Sequence, residues 1–180
     1  MLNIQFLKQQ LDPDQNKLLD EVLDIRELTL QRFKSLKSKY SGLKNNIKRI
    51  EKKLLVVMQQ SPEETFVPWW VQKEVESIEK KYTGIDKAIE KYKSTLQLFN
   101  NELESVYSHE RNSPERFKDG IRRMRSWLAS CGTFIFSAEN DIRITKRYFK
   151  NIRSAFESHA RSFTQKKEIA RRKAAEAGGQ

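Results

Sequence analysis

A chain of 180 residues with 4 Pro, 6 Gly and 33% charged residues has too few turn-formers for a sandwich, a barrel or a loop-rich enzyme, yet is long enough to bury a core. Its formal net charge of +11 bears on partners rather than on fold: nucleic acid, anionic lipid or an acidic protein would supply the counter-charge. The single cysteine, Cys131, excludes an intramolecular disulfide and a Cys-based metal site within one chain.

Residues 1–12 read as an N-terminal segment. Leu2, Ile4, Phe6, Leu7 and Leu11 either pack back on the body or dock on a partner. No basic region followed by a long apolar run opens the chain, so it does not read as a signal peptide. The longest apolar run, Leu54 to Met58, is far short of a membrane span. The expectation is a cytoplasmic protein without a transmembrane segment.

Three helix starts then divide the sequence. Asp12-Pro13-Asp14-Gln15 sets an Asp cap, Pro at the first helical position and Gln at the capping-box position. Ser61-Pro62-Glu63-Glu64 repeats the pattern, and Ser113-Pro114-Glu115-Arg116 gives a third cap. Helices are expected over about 13–60, 68–111 and 114–173, forming one domain over 13–173, with a flexible tail at 174–180.

Apolar spacing inside these spans is the strongest signal. The second reads Val71, Val75, Ile78, Tyr82, Ile85, Ile89, Tyr92, Leu96, Phe99, Leu103 and Val106, in strictly alternating steps of 4 and 3. The third runs Phe117, Ile121, Met124, Leu128, Cys131, Ile135, Ala138, Ile142, Thr145, Phe149, Ile152, Phe156, His159 and Phe163 in the same alternation. The first keeps it from Leu36 through Tyr40, Leu43, Ile47, Ile50 and Leu54 to Val57. Upstream, Leu18, Val22, Ile25 and Leu28 drift off register.

A 3.5-residue repeat imposes a left-handed supercoil, and short connections make successive helices antiparallel neighbours. The expected fold is all-α, an elongated antiparallel three-helix coiled coil, with a kink or break considered near 131–137. There Gly132 and β-branched residues lower helix propensity, and Ser137 could cap a new helix. The unbroken register favours one kinked helix.

Chemistry is sparse. No Gly-rich phosphate loop, HExxH or nucleophile elbow is present. His109 sits where a cation suits a helix C-terminus; His159 and Cys131 lie on the apolar series as core residues. The expectation is a non-enzyme with no cofactor, no metal and no small-molecule substrate.

Charge gives the sharper reading. Residues 114–180 hold 16 Lys and Arg against 7 Asp and Glu. Arg122, Arg123, Arg143, Arg147, Arg153 and Arg161 on the third helix, with Lys166, Lys167, Arg171, Arg172 and Lys173 toward its end, are the candidate contacts to nucleic acid or an acidic partner. The bland alternative is a solvated face beside a coiled-coil seam. Between the first two helices, Phe66, Trp69 and Trp70 form either an end plug or a protein-docking tip. The expected function is therefore a non-catalytic interaction protein engaging nucleic acid, DNA or RNA, within a larger assembly. The rival is a protein scaffold or adaptor, as a homo- or hetero-oligomer, docking through the Trp tip. Membrane-surface binding ranks third.

Overall fold

The computed structural model describes residues 4–60, 69–110 and 112–177. They form an all-α helical bundle, with no strand among them. The helices are α1 (Ile4–Lys8), α2 (Pro13–Gln60), α3 (Trp69–Ser105) and α4 (Pro114–Ala177), and a π-helical turn, Val106–Glu110, ends α3. The second capping motif and Phe66 fall outside the described residues.

The Asp12 box forms as its sequence requires. The Gln15 backbone N–H donates to Asp12 Oδ1 at 2.8 Å, and Gln15 Oε1 accepts from the Asp12 N–H at 3.2 Å. Two otherwise unpaired donors of the first turn are thereby satisfied. Asn16 Nδ2 donates to the carbonyls of Lys8 and Leu11, tying α1 to the start of α2. At α4 the Phe117 N–H reaches the Ser113 carbonyl at 2.9 Å.

The chain folds as two compact units. The first comprises Met1–Gly42 and Lys81–Ile142; the second comprises Leu43–Lys80 and Arg143–Gln180. In the first unit, α2 and α3 run antiparallel. Tyr40 donates to Asp86 at 2.9 Å, Phe33 stacks on Tyr92 with centroids 3.7 Å apart, and Arg26 lies 5.8 Å over the Phe99 ring. α4 runs parallel to α2, with Arg125 bonded to Glu21 and Glu139 to Arg32 and Lys39. It is antiparallel to α3, with Arg123 on Glu102 and Lys81 on Asp141. The core joins Leu11, Leu19 and Val22 to Phe99, Leu103, Val106, Phe117, Ile121, Met124 and Leu128. Leu11 of the N-terminal segment thus packs back, whereas Phe6 is exposed.

The α2 seam differs from its expected course upstream of Leu36. Ile25 and Leu28 are exposed. The inward line is Gln15, Leu19, Val22, Arg26, Thr29, Phe33, Leu36, Tyr40, Leu43 and Ile47, buried or half-buried throughout and stepping 4 and 3 without a slip. Two of its polar members are hydrogen-bonded locally, whereas Arg26 Nε has no hydrogen-bond partner among the described residues. Gln15 serves the cap, Thr29 Oγ1 donates to the Ile25 carbonyl at 2.7 Å, and Arg26 lays its guanidinium over Phe99.

α4 is α-helical without a break through 131–137. Cys131, Ile135 and Ala138 are buried on its seam, so packing outweighs the weak local propensity. Gly84 of α3 has a packing reason: a Cβ there would come within 2.8 Å of Asp141 Oδ2. In the second unit the buried residues include Leu43, Ile78, Thr145 and Ile152, and Asn151 Nδ2 donates to Glu74 Oε1 at 3.0 Å.

Candidate nucleic-acid interface

The α4 seam fixes where its cations point. Within the second unit Thr145 and Ile152 are buried and Phe149 and Phe156 half-buried. Residues three and four apart share a helix face, so Arg143, Lys146, Arg147, Lys150, Arg153 and Arg161 occupy the opposite, exposed side. From Arg143 to Phe156 there are five cations and no acid. Glu157 follows and is held by Arg153 Nε at 2.7 Å. Lys146, Arg147, Lys150 and Arg161 form no ion pair among the described residues, and their charge faces solvent. A shallow groove of about 400 Å³ lined by Ser154, Glu157, Ser158, Arg161, Ser162 and Gln165 runs beside the ridge.

The sequence candidates separate into two groups. Arg122 and Arg123 lie in the first unit with charge already engaged: Arg122 on Asp119 at 2.9 Å and Arg123 on Glu102 at 2.7 Å. Arg143, Arg147, Arg153, Arg161, Arg171 and Arg172 lie on α4 of the second unit and are exposed. The side chains of Lys166, Lys167, Lys173, Trp69 and Trp70 fall outside the described set; both tryptophans open α3. Lys146 and Lys150, which are not among the sequence candidates, are exposed in the same row. Their signal is the acid-free stretch that they share with Arg143, Arg147 and Arg153.

Charge is partitioned between the units. The first holds 17 Lys and Arg against 15 Asp and Glu, a net of +2; the second holds 18 against 9, a net of +9. The first unit also pairs much of its charge internally, through Glu139, Asp141, Glu102, Glu21 and Asp20.

Catalytic groupings are not apparent in what the structure describes. No cluster of three or more His, Cys, Asp or Glu with metal-binding placement occurs among the described residues. His109 is exposed on the π-helical turn, and Cys131 is buried against the Tyr92 carbonyl. No helix among the described residues is long and apolar enough to cross a membrane.

No protein family, curated protein or solved structure matches this chain.

Proposed function

We propose that this is a non-catalytic helical interaction protein that binds nucleic acid through the outer face of α4 in the second unit. The supporting observation is the ridge itself: Arg143, Lys146, Arg147, Lys150 and Arg153 without an intervening acid, on a face turned from the core, in a unit of net charge +9. Neighbouring cations on such a face stand about 5–6 Å apart, a rigid row suited to a row of phosphates. Arg adds its planar fork, which matches phosphate oxygens in pairs. Phosphate contacts position a protein without reading sequence, so the expected binding is insensitive to base order.

The test compares surfaces. Arg143→Gln, Lys146→Gln, Arg147→Gln and Lys150→Gln combined should preserve helix, because Gln is a good helix former. Binding to duplex DNA or RNA, followed by fluorescence anisotropy at low salt, should weaken by at least about tenfold, and the salt slope should shrink by roughly 3.6, at about 0.9 per lost phosphate contact on B-DNA. Arg122→Gln with Arg123→Gln should change little. Equal losses from both sets would leave the ridge without a special role. Binding of acidic protein but of neither nucleic acid would replace this reading with the adaptor.

A further inference from the structure

We infer that the first unit pairs with a second copy of this chain through the strip between α2 and α4, a surface separate from the ridge. On α2, Glu21, Ile25, Leu28 and Arg32 follow one another in steps of 4, 3 and 4, and so share a face. On α4, Arg125, Ala129, Gly132, Phe136 and Glu139 do the same in steps of 4, 3, 4 and 3. The two lines flank one strip because their ends are tied together. Arg125 meets Glu21 at 2.5 Å, and Arg32 meets Glu139 at 3.2 Å.

Between these ties the strip is apolar and open. Ile25 is 42% exposed, Leu28 62% and Phe136 69%. In a chain that is one-third charged, α4 carries no charged residue from Ser126 through Ala138. Depletion of charge with an aromatic present is the composition of an interface centre, not of a solvated helix face. Gly132 points the same way. Glycine inside a helix is unfavourable relative to alanine, yet a Cβ at Gly132 would meet nothing within 4 Å. The chain's own packing does not require it, unlike Gly84. It leaves a dent one turn from an exposed Phe.

Charge complementarity selects the occupant. Each end of the strip carries both signs, so a uniformly acidic or basic segment would meet its own sign at either end. A second copy laid antiparallel, on a twofold axis passing near Gly132, avoids this. Arg125 then faces the copy's Glu139, Glu21 faces its Arg32, and Phe136 lies over the small residues about its Ala129. Each contact occurs twice, as in any isologous pair.

Sedimentation equilibrium without nucleic acid is the test, independent of the ridge. The wild type should reach about twice the chain mass of 21.3 kDa. Phe136→Lys and Leu28→Lys, both at exposed positions, should keep their helical content and raise the dimer dissociation constant at least about tenfold. Gly132→Cys, near the axis, should form an intermolecular disulfide on mild oxidation, and Arg122→Cys should not. A wild type that stays monomeric at all concentrations overturns the proposal, as does a dimer unaffected by both lysine substitutions. Equal cross-linking at positions 122 and 132 would also contradict it.

Discussion

Tyr40 and Tyr92 are both buried phenols, and their hydroxyls fare differently. Tyr40 donates to Asp86 at 2.9 Å, whereas the Tyr92 hydroxyl finds no acceptor among the described residues. Tyr40→Phe should cost about 1–2 kcal/mol, because Asp86 loses a donor, and Tyr92→Phe should be neutral or stabilising. Urea melts of the two variants separate these outcomes. Burial pushes the Tyr92 pKa up to about 12, with Cys131 adding to the shift and Arg26 opposing it, and burial pushes the Cys131 thiol up to about 11. Burial and the Asp86 bond raise Tyr40 further. All three shifts favour the protonated form in the folded chain. Their contribution is therefore full below the ordinary thiol value of 9.0 and is lost as pH rises through the folded values. Melting temperature should hold from pH 7 to about 9 and fall above it. Iodoacetamide at pH 8 should label Cys131 only after unfolding. A melting temperature that rises between pH 9 and 11 would contradict these placements.

At the level of elements, α3 from Ile78 to Val106, α4 from Phe117 to Phe156 and α2 from Leu36 to Ile47 were legible because their seams are largely apolar and keep the 3.5-residue repeat, whereas Val75, expected on the α3 seam, is exposed, and the side chains of Ile50, Leu54, Val57, Val71, His159 and Phe163 lie outside the described residues. The first half of α2 was not, because Gln15, Arg26 and Thr29 occupy inward positions while Ile25 and Leu28 point out. A reading of apolar spacing follows the wrong pair of residues there. Substitution tests the inward line at chain concentrations low enough for a monomer: Thr29→Asp should destabilise by several kcal/mol through an unpaired buried carboxylate, and Leu28→Asp by less than about 1 kcal/mol. The reverse order would restore the original stripe. Glycines give a second contrast. Gly42→Ala adds a Cβ that meets nothing within 4 Å and should stabilise by up to about 1 kcal/mol, whereas Gly84→Ala must shift the Asp141 carboxylate and should gain less. The direction of the cations on α4 was likewise not legible. Composition marked the helix as basic, but only the ion pairs divide Arg122 and Arg123, held by Asp119 and Glu102, from Lys146, Arg147 and Lys150, which form no ion pair among the described residues.

For the molecule as a whole, the partition of charge carries the functional reading. Two units of one chain, at +2 and +9, differ in what they can attract, and the acid-free row lies in the second. Bound phosphates would release condensed counterions, a signature that neither an apolar docking surface nor a solubilising charge would produce. The decisive measurement is the affinity of the wild type for a short duplex as salt is raised from about 50 to 200 mM, the range over which such contacts weaken steeply. Four to five ridge contacts should give a slope of log affinity against log salt near −4, at about −0.9 per contact on B-DNA. A slope near zero, or no binding at the lowest salt, would contradict nucleic-acid recognition by α4.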